Sequence, residues 1–492
     1  MLKNKKHIIK LLLILLVSYF VLMIPDFQNK TIIKMNAAPF AWNNDAAWQI
    51  LENNFTAAKK LHSNEVDSTI QLLFIKEEQL LKTIASDKLN PSNSSLDELL
   101  DNYFKLASLI AARPLQRDHL LVVNNQIRNQ IKLQSRQWNM NDRVSRNSLY
   151  KILYGIRAAT EEVLLQTATI PFDPVMLVTD EPSSAPFTKL FNIKVHSGDL
   201  LLSRGGAEVS ALISRGNNYP GNFSHVALIY VDEKTNIPYL IEAHIEKGVA
   251  ISSAQQYISD KKLRFMVLRP SAGLQAIKQK LMLPHLAAKY AFEQLQKRHI
   301  PYDFKMNFND TSAMFCSEVG SYAYKQMGIQ LWKTSSVISS QGVVNWLSAF
   351  GVENFVTKMP ADLEYDNQLA VVAEWRNPET LLKDHIDNAV MDALLEKADG
   401  GMQIRYNSWQ LPFVRLVKVY CKIKNAFGKT GLIPEGMSAT QALKNQEFVS
   451  LYKVVKWKTE FLIEQFIKQK HYNPPYWQIV KLAKGAAAEL KT

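Results

Sequence analysis

Two cysteines, Cys316 and Cys421, are all that the 492 residues contain, so a scaffold built on disulfides is excluded. Glycine and proline are also sparse, at 18 and 19 residues. With no internal repeat, that rules out collagen-like and low-complexity chains. The sequence has no Gly-x-Ser-x-Gly, no P-loop, no Gly-x-Gly-x-x-Gly at a strand end and no His-Glu-x-x-His. Nothing therefore points to a serine-hydrolase elbow, a nucleotide cradle or a zinc protease helix. Acidic residues fall short of basic ones, leaving a net charge of +13. That surplus first suggests nucleic acid, but it is local. Residues 1–34 carry +5, residues 401–492 carry +10, and residues 35–400 between them carry −2.

What is present starts with an apolar run from Leu11 to Ile24, behind Lys3, Lys5, Lys6 and Lys10 and closed by Pro25. A basic segment followed by such a run is the pattern of an export signal or a short signal-anchor. It falls below the roughly 20 residues of a full span. The lysines would stay in the cytoplasm and the rest would lie outside, which places the chain in the cell envelope, periplasmic or membrane-anchored.

At roughly 100–200 residues per domain, the length calls for two or three units. Residues 40–170 repeat apolar side chains at helical spacing, as in Ile70, Leu73, Leu80, Leu81 and Ile84, and predict a helical bundle. Ser95 with Glu98 reads as a capping box for a helix through Leu109, and further helices are expected near 116–137 and 142–168. Pro171, Pro174, Pro182 and Pro186 mark a linker. Strands follow at Asp199–Ser203, His225–Val231, Tyr239–His244, Gly248–Ile251 and Phe265–Leu268, then helices near 285–298 and 312–327. This gives an α+β domain over 185–375, a small antiparallel sheet plus helices. A basic helical region covers 378–492.

Chemistry concentrates in that domain. On a strand, His225 shares a face with Ala227 and Ile229, while Glu242 and His244 share a face on the next. If the two pair as a hairpin, an even register brings the imidazole beside the carboxylate, the arrangement a general base needs, and a shift by one residue separates them. Cys316 follows Thr311 and Ser312, either of which is a good N-cap. It is therefore expected in the first turn of a helix, where amides and the dipole favour thiolate. Alternative fates for Cys316 are an inert buried thiol, a disulfide to Cys421, or a zinc site with Glu242 and His244, whose spacing is not diagnostic.

The ordered motifs Gly198-Asp199-Leu200-Leu201, Ser224-His225-Val226-Ala227, Glu242-Ala243-His244, Tyr302-Asp303-Phe304 and Phe315-Cys316-Ser317-Glu318 resemble the YiiX/YebB-like family. These are circularly permuted NlpC-type papain-like cysteine hydrolases, related to lecithin:retinol acyltransferase-like enzymes. The resemblance spans about residues 195–330, with the His strand ahead of the Cys. It implies Cys316 as nucleophile, His225 as general base and Glu242 as the group orienting His225, with His244 as an alternative. Tyr302 and Asp303 match a recurring pair that lines or shapes the site. It implies an amidase, peptidase or esterase acting through a thioacyl-enzyme on wall peptides or lipid-like substrates, with neither cofactor nor metal. An acyltransferase or a non-catalytic scaffold would keep the same residues. The basic C-terminal region, with Arg415, Lys418, Lys422 and Lys424 among Phe413 and Tyr420, is either a membrane-surface contact or a solvated helical face. Nucleic acid is not expected for an exported chain.

Overall fold

The computed structural model describes residues 2–26, 37–42, 45–168, 170–427, 429 and 431–490. Six helices come first: Leu2–Leu22, Asp45–Ala58, Ser63–Ser86, Ser94–Ala112, Arg117–Gln134 and Arg143–Gln166. The apolar stripes of the last five close on one another, so that Ile70, Ile84, Leu99, Tyr103, Ile127 and Ile156 are wholly buried. The expected capping box at Ser95 and Glu98 does not form. Asn93 is the N-cap instead, its side chain accepting from the Ser95 N–H at 2.9 Å, while Glu98 reaches Lys76 at 2.7 Å. The short Asn93 side chain meets a helix-start amide without bending the chain back.

Eleven strands follow among the described residues. They are β1 (Val175–Leu177), β2 (Phe187–Leu190), β3 (Ile193–His196), β4 (Leu200–Gly205), β5 (His225–Val231), β6 (Pro238–His244), β7 (Gly248–Ser253), β8 (Lys262–Pro270), β9 (Ser336–Val337), β10 (Val356–Thr357) and β11 (Leu369–Arg376). Seven of them form one antiparallel sheet, in the order β1-β11-β8-β4-β5-β6-β7. Two members depart from expectation. The proline-rich linker contributes β1, which pairs Val175 with Trp375, and β11 joins β8 as a further strand.

The central strands are apolar on both faces because both faces are covered. Leu200, Leu202, Val226, Leu228, Ile241 and Ala243 pack with the helices Leu283–Lys297 and Cys316–Gln326. Leu201, Ala227, Ile229 and Leu240 pack under the β2–β3 hairpin and Tyr257. The architecture is α+β, a mostly antiparallel sheet with helices. The C-terminal helices Pro378–Asp399, Leu411–Ala426, Ala439–Lys470 and Tyr476–Ala488 complete the chain. Among the described residues, no helix is long and apolar enough to cross a membrane.

Candidate active site

The register of β5 with β6 decides whether a site exists, and it is even. Ala227 stands opposite Glu242, so His225, two residues back along β5, shares the face of Glu242 and His244. His225 Nε2 lies 2.7 Å from Glu242 Oε2, and His244 Nε2 lies 3.1 Å from Glu242 Oε1. The two imidazole rings are 5.9 Å apart. Glu242 is buried and, although burial opposes ionisation, hydrogen bonds from His225 and His244 hold its carboxyl far below the usual range. Burial lowers the pKa of His225 below its ordinary value, outweighing the opposing pull of Glu242. His225 is thus a neutral imidazole at neutral pH. The Glu242 carboxylate holds the proton on Nε2 and leaves Nδ1 as the acceptor.

Cys316 is the first residue of the helix Cys316–Gln326. The N-cap is Phe315, whose N–H donates to Glu318 Oε2 at 2.9 Å. Thr311 and Ser312 do not cap it: the helix starts only at Cys316, and the Ser312 N–H donates to Asp310 Oδ1 at 2.9 Å in a turn ahead of it. The approach to the helix is shaped by Tyr302 and Asp303. Tyr302 bridges Met314, and the Asp303 carboxylate accepts from the N–H groups of Lys305 and Asn307 at 2.8 and 2.6 Å. Tyr302 is half-buried, and its phenol is raised by burial and then by the neighbouring Cys316.

The thiol meets the backbone around His225. β6 stops pairing with β5 at Ala227, which opens the ladder at Ser224–Val226, and Cys316 Sγ lies there, 3.6 Å from the Ser224 carbonyl oxygen. Its helix packs on the sheet face of Val226 and Leu228, whereas Ala227 and Ile229, which alternate with them in step with His225, face the other way. No direct hydrogen bond joins His225 and Cys316. The expected thiolate is corrected here: burial pushes the thiol up to about 12, against the N–H groups of Ser317, Cys316 and Val226. Cys316 and Cys421 are both free thiols, so the alternative of a disulfide between them falls. Cys421 Sγ instead accepts from the Ile433 N–H at 3.5 Å.

Sequence reading missed the support under His225. The helix Arg143–Gln166 holds the loop before β5: Tyr150 donates to the Pro220 carbonyl at 2.6 Å and Arg157 to Asn222 at 3.1 Å. These are long-range contacts with no local signal. A cavity of about 470 Å³ lies elsewhere, among Trp42, Trp48, Phe104 and Trp477, and no residue of the site lines it.

The comparison with known families places this segment as follows. Residues 194–373 match the family described as permuted papain-like amidase enzyme, YaeF/YiiX, C92 family. This segment is similar to that family. The match covers 180 of the 492 residues, from β3 into β11, and includes all six candidate residues. No curated protein matches the chain. The permuted papain-like domain is, at the level of its family, that of an amidase and so of a hydrolase.

Proposed function

We propose that the protein is a cysteine hydrolase of the cell envelope that cleaves amide or ester bonds of wall peptides or lipid-like substrates through a thioacyl-enzyme. The observation that carries this is the Glu242–His225 pair on the strand whose backbone receives the Cys316 thiol. As Cys316 attacks the carbonyl, its proton turns from the Ser224 oxygen to Nδ1 of His225, and Glu242 stabilises the imidazolium that forms. His225 then gives that proton to the leaving amine or alcohol. It next takes one from water, which attacks the thioester and frees Cys316. Amides at the helix start, led by that of Ser317, offer hydrogen bonds to the developing oxyanion. The envelope location rests on the basic, then apolar, N-terminal segment.

The test is substitution of Cys316 by Ala in the full chain. Turnover and labelling by a carbonyl-bearing thiol probe should both vanish, whereas Cys421→Ala keeps both; unchanged turnover in Cys316→Ala sinks the reading. A non-catalytic binding protein is the second reading. The buried, high-pKa thiol favours it, and it predicts no turnover in the parent protein. An added amine or alcohol that captures the acyl group in place of water would make the enzyme an acyltransferase.

A further inference from the structure

The helix Leu411–Ala426 turns an apolar row outward. Phe413, Leu416, Tyr420 and Ile423 recur at spacings of three and four, Phe427 continues the row, and each is more than half exposed. The opposite side anchors the helix. Leu411 packs with Ala439 and Leu443, and Cys421 with Ile433 and Met437. Lys418 Nζ donates to the carbonyls of Pro434 and Glu435 at 2.6 and 2.8 Å. The exposed row is therefore a fixed feature of the fold, and large exposed apolar patches mark interaction sites. Its charge is of one sign: the helix holds Arg415, Lys418, Lys422 and Lys424 and no acidic residue.

A second apolar surface adjoins it. The helix Leu2–Leu22 exposes Leu11 to Leu16, Phe20 and Val21. It is tied to Leu411–Ala426 at one end: the Tyr19 hydroxyl donates to the Trp409 carbonyl at 2.9 Å, and the Tyr19 ring lies 6.3 Å from that of Phe413. Arg415 donates to the Ile24 carbonyl and to Asp26 Oδ1 at 2.7 and 2.8 Å. Tyrosine and tryptophan gathered between two apolar helices, with cations at the edge, match a membrane interface. A second copy of the same helix would set lysines against lysines, whereas anionic headgroups complement them.

We propose that the outer face of Leu411–Ala426 lies in the surface of a lipid bilayer with anionic headgroups, beside Leu2–Leu22. It forms a second, monotopic contact that fixes how the catalytic domain faces the membrane. This does not depend on the chemistry at Cys316.

The test reads the second helix locally, because the first alone can hold the chain on lipid. A nitroxide on Leu416→Cys in the full-length protein is mixed with vesicles of phosphatidylcholine, with or without phosphatidylglycerol. With phosphatidylglycerol, the label should become severalfold less accessible to an aqueous nickel relaxant and more accessible to oxygen, with protection weakening at high salt. Adding Phe413→Ser, Tyr420→Ser and Ile423→Ser should return the label to water while the protein still floats with the vesicles. A label equally wet with and without vesicles overturns the proposal. So does equal protection on neutral lipid, or dipolar broadening between labels in the absence of lipid.

Discussion

At the scale of single residues, the site couples a neutral thiol to a neutral imidazole. Cys316 is pushed up to about 12 by burial, and His225 is lowered below its ordinary 6.5 by burial against the pull of Glu242. On the proposed mechanism, proton transfer therefore accompanies attack, since burial holds the resting Cys316 as a thiol. Accordingly, kcat/KM should stay level through neutral pH and fall only as His225 protonates, on the acid side of 6.5. A rise in rate across the usual thiol range would contradict this. Replacing Glu242 with Gln removes the charge that raises the pKa of His225, so the acid limb should move to still lower pH. kcat/KM should drop on the order of 10²–10⁴-fold. A Glu242 that served only to hold the sheet together would lower stability and leave the limb in place.

At the scale of elements, the position of Cys316 depends on how closely its helix meets the sheet. Gly320, one turn on, faces Leu200, and a Cβ there would stand 2.5 Å from Leu200 Cδ2. Gly320→Ala should push the helix off β4, costing about 1–3 kcal/mol in denaturant unfolding. A shift of about 1 Å at the thiol should slow turnover on the order of 10²-fold. Ser321→Ala on the same helix is the control and should do neither. What the sequence made legible follows the same local logic. Alternation placed His225, Glu242 and His244 on their faces and required an even register. Yet the register itself comes from pairing Ala227 with Glu242, which no local pattern encodes. Strand β1 has only three residues among prolines, too few for a period to show. Thr311 and Ser312 are good caps by residue type, yet the Cys316 helix starts beyond them, after Phe315, a position that residue type does not mark. The thiol's pKa was misread because desolvation depends on the packed sheet behind it, not on the helix end alone.

At the scale of the whole molecule, a buried ionic network joins the helical flanks to the sheet. Glu161 of the helix Arg143–Gln166 receives Arg264 of β8 at 2.5 and 3.0 Å and His385 of the helix Pro378–Asp399 at 3.0 Å. Asp384 pairs with Arg264 at 2.6 Å and with Arg204 of β4 at 3.1 Å. These groups are almost fully buried, so removing one charge strands its partners. Glu161→Gln should cost about 3–5 kcal/mol of unfolding free energy. The network also sets a pH dependence whose sign is fixed. Burial disfavours the charged form of His385, but Glu161 and Glu162 outweigh it and raise its pKa from 6.5 to about 9. Its stabilising contribution is complete below about 6.5 and is lost as pH rises through about 9. Burial likewise opposes ionisation of Glu161, but Arg264, His385 and Arg376 hold its pKa well below 4.5. Its contribution is complete above 4.5 and is lost as pH falls further. Both are complete only on the mildly acidic side of neutrality, and thermal midpoints should decline from there toward alkaline pH. In His385→Gln the alkaline decline over this range should flatten while the acid decline persists. An unaltered alkaline limb would mean that the stability of the flanks is not tied to the sheet through this histidine.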